Sequence, residues 1–121
     1  MPIKNILVVE DSPTDLKYLT DLLAKNGYQV ITAQNADEAL AKAKQLRPDL
    51  VLMDIVMPGQ SGFQATRALG KDDATKQIPV IICTSKGQDT DKAWGLKQGA
   101  RDYIVKPVSG PELLKKISAL G

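Results

Sequence analysis

The feature that most restricts what this chain can fold into is an alternation. Five short apolar runs, at residues 3–9, 28–33, 50–53, 79–83 and 103–105, are separated by segments whose apolar residues recur at helical spacing. Runs so rich in Val, Ile and Leu read as strands buried on both faces, the environment of a parallel sheet covered by helices. The helical pattern shows in Leu16, Leu19 and Leu23, in Ala36, Ala39, Leu40 and Ala43, and in Leu113, Leu114, Ile117 and Leu120. Crossovers between parallel strands are right-handed almost without exception, so the alternation predicts a doubly wound α/β sandwich. A chain of 121 residues matches one domain, at roughly 100–200 residues per domain. Residues 1–121 are therefore expected to form a single domain with no room for an output module.

The helix ends are marked. Ser12-Pro13-Thr14-Asp15 offers an N-cap hydroxyl, a proline in the first turn and an acid three residues on. Asn35 with Glu38 and Ser109 with Glu112 repeat that spacing. Gly27 and Gly99 stand where C-caps are expected, and Pro48 and Pro79 keep a helix from running into the next strand. The polar segment 70–78 reads as a helix end plus loop.

Charge and composition exclude several functions. Sixteen Lys and Arg against fourteen Asp and Glu give a net charge of +2, with the basic residues scattered from Lys4 to Lys116. A nucleic-acid reader needs a basic stripe, which is missing. The apolar runs fall short of the ~18 residues that a membrane helix needs. Met1-Pro2-Ile3-Lys4 leads directly into the first run, so no signal peptide is expected and the location is cytoplasmic. Cys83 is the lone cysteine, which rules out an internal disulfide framework. There is no histidine, which removes histidine metal sites, Ser-His catalysis and a phosphohistidine of the chain's own.

In open α/β sheets ligands bind beyond the carboxyl ends of the strands. Glu10 and Asp11 follow the first run, Asp54 the third, Thr84 and Ser85 the fourth, and Lys106 and Pro107 the fifth. The second delivers only Ala33, Gln34 and Asn35. Three acids, a hydroxyl and an ammonium thus converge on one rim. At a spacing of ~5 Å and an effective dielectric of ~20, each acid pair repels by roughly 3 kcal/mol. Such a cluster either takes up protons or binds a cation, and oxygen-only ligands with room for water favour Mg²⁺. Asp54 is either a nucleophile that forms an aspartyl phosphate or the cap of its turn. Lys106 is either a phosphate partner or a solvated surface lysine, and Thr84 is either a phosphoryl donor or a turn residue.

The motifs Val8-Val9-Glu10-Asp11, Leu52-Met53-Asp54-Ile55-Val56-Met57-Pro58-Gly59, Thr84 and Tyr103-Ile104-Val105-Lys106-Pro107 resemble those of response-regulator receiver domains across essentially the whole chain. The resemblance implies a five-stranded parallel sheet in flavodoxin-like order with five flanking helices. It makes Asp54 the phosphoacceptor and Asp11 a Mg²⁺ ligand, together with Asp54 itself and the Val56 backbone carbonyl. Glu10 acts mainly through a water, and Lys106 pairs with Asp54 and the phosphoryl group. Thr84 moves towards that group and lets Tyr103 turn inward. A cis Lys106–Pro107 bond is also implied. Glu10, where many members have Asp, and Ser85, commonly Ala, are departures. Segments 62–67 and 86–95 further resemble stand-alone regulators of pilus-driven twitching motility, which work in a chemotaxis-like pathway. The alternative is a chemotaxis-type or phosphate-sink receiver unconnected with pili.

These resemblances imply a histidine kinase as phosphodonor, a downstream protein target, no nucleic acid, no membrane insertion and a monomer. The chain would be no enzyme beyond assisting its own phosphorylation and dephosphorylation. A haloacid-dehalogenase-type phosphatase needs a second Asp at the position of Val56, and a flavin or nucleotide binder needs a Gly-rich loop where Glu10 and Asp11 stand. In the fourth helix, Ala93 and Leu96 are expected to form the buried stripe, which leaves Trp94 turned from the core as a partner contact or folded flat over its own helix. Val56 and Lys86 lie near the path of hydrolytic water, and an apolar Val56 predicts slow self-dephosphorylation.

Overall fold

The computed structural model describes residues 3–120. Met1 and Pro2, on which the expectation of no signal peptide rests, and Gly121 lie outside them. The elements alternate as expected: β1 (Asn5–Val9), α1 (Pro13–Lys25), β2 (Gln29–Ala33), α2 (Ala36–Leu46), β3 (Leu50–Met53), α3 (Gly62–Lys71), β4 (Val80–Thr84), α4 (Asp89–Lys97), β5 (Asp102–Val105) and α5 (Gly110–Leu120). All strands are parallel, in the order β2-β1-β3-β4-β5. This is the flavodoxin-like order, whose switch point lies between β1 and β3.

Side chains alternate across the pleat, so each strand feeds two cores. Leu7, Val9, Val51 and Met53 pack against Ala36, Ala39 and Ala43 of α2 and Ala65 and Leu69 of α3. Ile6, Val8, Leu50, Leu52 and Ile81 point the other way, onto Leu19 and Leu23 of α1 and Leu113 and Ile117 of α5. Two covered faces explain why the inner strands β1, β3 and β4 are apolar at nearly every position, whereas the edge strand β2 is mostly half-buried.

The caps form where expected. Ser12 and Asn35 accept from the amides of Asp15 and Glu38, and Gly27 and Gly99 follow α1 and α4 with φ of +90° and +113°. The Glu38 carboxylate reaches the Gln34 amide, one residue short of the Asn35 amide that a reciprocal box requires. A full capping box forms instead between Ser61 and Gln64, a pair that carries the same spacing in the sequence. Lys4 and Asn5 donate their amides to the Asp49 carboxylate, both at 2.9 Å, so β1 starts later than its apolar run.

The α4 stripe is a correction. Ala93 and Leu96 are both exposed, and the one buried residue of the helix is Gly95. A Cβ on Gly95 would lie 2.8 Å from Ile82 Cδ1 and 3.0 Å from the Tyr103 ring. The helix therefore meets the sheet through bare backbone, with Asp91 and Gln98 half-buried on the same side, and apolar spacing alone picks the wrong phase. Trp94, 48% exposed, does face away from the core.

Among the described residues, no helix is long and apolar enough to cross a membrane.

Candidate functional site

The carboxyl ends of β1, β3, β4 and β5 meet at one rim, and backbone hydrogen bonds continue the sheet one residue past the strands. Glu10 donates its amide to Ala33 O (2.9 Å) and Asp54 donates its amide to Val9 O (3.0 Å). Thr84 closes β4 opposite Val105, and the Lys106 amide donates to Thr84 O at 2.8 Å. Glu10, Asp54 and Thr84 are buried at 1%, 6% and 0% exposure, whereas Asp11 is exposed.

The side chains converge. Carboxylate oxygens of Glu10, Asp11 and Asp54 all lie within 4.8 Å of one another. Lys106 Nζ donates to Asp54 Oδ2 at 3.0 Å, to Asp15 Oδ2 at 2.8 Å and to Glu10 Oε1. The Val56 amide donates to the other Asp54 oxygen, Oδ1, at 3.0 Å, and the Ser12 amide donates to Glu10 Oε2 at 3.2 Å. The Lys106–Pro107 bond is cis, as the resemblance implies.

One ammonium among so many carboxylates leaves an excess of negative charge, and the acids divide it unequally. Burial pushes Glu10 up from an ordinary 4.5 to about 7, with the neighbouring Asp54 charge adding to the effect and the Lys106 contact opposing it. Asp54 is also pushed up by burial, but the Val56 amide, the Lys106 ammonium and a hydrogen bond from Glu10 together hold it below the usual carboxylate range. Burial alone would lower Lys106; contacts with Asp15, Glu10 and Asp54 raise it instead. Without a bound metal ion, a proton taken up by this cluster therefore goes to Glu10 before Asp54. The donor set fits Mg²⁺: it is all oxygen, closely grouped, over-supplied with negative charge and open to water on the Asp11 side.

The Thr84 hydroxyl accepts from the Lys86 amide at 3.5 Å, a bond that uses an oxygen lone pair and leaves the hydroxyl hydrogen to donate elsewhere. Tyr103 is turned inward, packed with Ile55, Ile82 and Ala100, and its hydroxyl donates to Lys86 O at 2.6 Å. Val56 and Lys86 are exposed beside the rim. Trp94 lies off it, on α4, with Lys97 Nζ 5.8 Å from its ring centroid. The structure adds Asp15 to the site, a residue whose sequence pattern points only to the N-terminus of α1. Its position three residues past a cap that comes directly after Glu10 and Asp11 is the available signal.

Residues 6–118 match the response regulator receiver domain family. The chain belongs to that family. The receiver domain is 58% identical over 115 residues to Protein PilH of Pseudomonas aeruginosa, covering 95% of each chain. It is 38% identical to the phosphate regulon transcriptional regulatory protein PhoB of Escherichia coli, matching over 97% of its own length but only 51% of that protein's. It superposes with a TM-score of 0.90 and 29% identity on the crystal structure of the receiver domain of a sensor histidine kinase from Pseudomonas aeruginosa, covering 97% of this chain and 96% of that one. That structure has a magnesium ion coordinated in its active site cleft. Family and fold are therefore those expected, and the chain is a two-component response regulator.

Proposed function

We propose that Asp54 is the phosphoacceptor of this regulator and that its phosphorylation state is read by a partner protein. The observation that carries the reading is the pairing of a buried Asp54 with Lys106 at 3.0 Å inside a cluster of acids. Asp11, Asp54 and the Val56 carbonyl would hold Mg²⁺, with Glu10 acting through a water, and the ion would supply the positive charge that phosphoryl oxygens require. The chain's own groups do the rest. The Val56 amide fixes the rotation of the Asp54 carboxylate, and Lys106 neutralises charge beside it. The Thr84 hydroxyl supplies a hydrogen-bond donor.

The chain has no histidine, so the phosphoryl group arrives on a partner's phosphohistidine. An Asp54 oxygen bonds to phosphorus, the bond from phosphorus to the donor imidazole nitrogen breaks, and the imidazole keeps that electron pair. The aspartyl phosphate adds about one negative charge to the site. Thr84 and Lys106 answer that charge, and the change reaches α4 through Lys86 and Tyr103. We place the regulator in a chemotaxis-like pathway that controls pilus-driven motility, a reading supported by its 58% identity to PilH. The chain turns over no external substrate.

Incubation with Mg²⁺ and acetyl phosphate should add the mass of one phosphoryl group, labile to base. Asp54→Ala should remove that gain while remaining folded. A gain that persists in Asp54→Ala overturns the assignment.

A further inference from the structure

The basic residues that look scattered in sequence are not evenly spread on the surface. The C-terminal halves of α3 and α4 enclose an open cleft of about 540 Å³, lined by Arg67, Lys71, Trp94, Lys97 and Gln98 and by no acidic side chain. Arg67, Lys71 and Lys97 form no ion pair among the described residues, whereas Lys44 on neighbouring α2 is held by Asp72 at 2.9 Å. Lys71 and Lys97 close the last turns of their helices, where a cation offsets the carbonyl dipoles. That effect does not account for Arg67 in mid-helix or for a tryptophan left 48% exposed, with Lys97 Nζ 5.8 Å from its ring centroid. Trp and Arg are the side chains most enriched at the energetic centres of protein interfaces.

We propose that this α3–α4 cleft docks an acidic segment of a partner protein, with an apolar or aromatic side chain laid on the Trp94 indole and carboxylates on Arg67, Lys71 and Lys97. Charge complementarity selects the occupant. A small anion would meet only exposed cations in an open cleft, with nothing to enclose it. A nucleic acid would need a longer basic track than three side chains. An acidic segment with an apolar anchor satisfies both the cations and the indole. The cleft is also wired to the sheet, because Gly95, next to Trp94, lies against the Tyr103 ring. Docking itself does not depend on the phosphoacceptor reading, and it would stand if Asp54 took up no phosphate.

The test is selection of a displayed library of random dodecapeptides on the full chain, followed by titration of the recovered peptides into isotope-labelled protein. Recovered peptides should be rich in Asp and Glu around an aromatic or Leu residue. They should shift the amide signals of Arg67, Lys71, Trp94, Lys97 and Gln98, and should quench or shift Trp94 fluorescence. The double charge reversal Arg67→Glu/Lys97→Glu, at exposed positions, should weaken binding at least tenfold, and Trp94→Ala should do the same. Peptides lacking acidic enrichment, shifts confined to other faces, or tighter binding of ATP or oligo-dT than of any peptide at these same residues would each overturn the proposal. The shift mapping is done on the unmodified chain, so it decides the matter even if a variant fails to fold.

Discussion

Glu10 makes the metal-free protein sensitive to pH in a window where most proteins are indifferent. Its carboxyl is 1% exposed, and burial pushes it up from 4.5 to about 7. The folded protein keeps this proton to a higher pH than the unfolded chain does, so the group favours folding below about 4.5 and loses that advantage as pH rises to about 7. At about 1.4 kcal/mol per pH unit, the loss comes to about 3 kcal/mol. Asp54 works in the opposite sense, but its depressed titration lies below 3.8 and outside the window. Urea unfolding in EDTA should therefore show a protein about 2.5 kcal/mol less stable near pH 8 than near pH 5, once the same comparison in Glu10→Gln has been subtracted. The amide keeps the shape and cannot ionise, so that variant should lose the slope. Mg²⁺ binding expels the proton, so the ion should bind roughly tenfold more tightly near pH 8 than near pH 6. Equal pH slopes in wild type and Glu10→Gln would refute the reasoning.

Three further outcomes rest on the geometry. Gly62→Ala would put a Cβ 2.3 Å from the Asp54 carbonyl oxygen and 2.6 Å from Ile55 Cα; both are backbone, so urea unfolding should show a loss of about 3 kcal/mol, and phosphorylation at Asp54 should slow. Asp15→Asn removes the 2.8 Å contact with Lys106; with Asp15 partly exposed, stability should fall by under about 1 kcal/mol, and the aspartyl phosphate, facing one competitor fewer for the ammonium, should decay more slowly in a radiolabel chase. Val56→Asn places a polar group at an exposed position beside Asp54, where it can orient hydrolytic water; phosphoryl loss in the same chase should speed up, and an unchanged rate would remove Val56 as a timing residue.

What is legible in the sequence, and what is not, divides along a physical line. Strands buried on both faces need apolar side chains at every position, so Ile6–Val9 and Leu50–Met53 announce themselves without knowledge of their neighbours. Residues at strand ends inherit their location from the strand, which is why Glu10, Asp54, Thr84 and Lys106 can be brought to one rim before any angle is known. A helix side chain reaches that rim only where its helix happens to bring it, and Asp15 enters the site because the first turn of α1 sets its carboxylate against Lys106. The place of Asp15 just after Glu10 and Asp11 is the one local hint of that position. The phase of α4 is hidden for a related reason: the expectation of a buried stripe assumes that burial needs an apolar side chain, whereas Gly95 is buried because it lacks one. On the outer side of α4, Trp94 lines one cleft with Arg67 and Lys71, cations that sequence order keeps twenty-three or more residues away. A surface assembled from two helices has a charge pattern of its own, and that pattern, more than the even balance of the whole chain, decides what the cleft attracts.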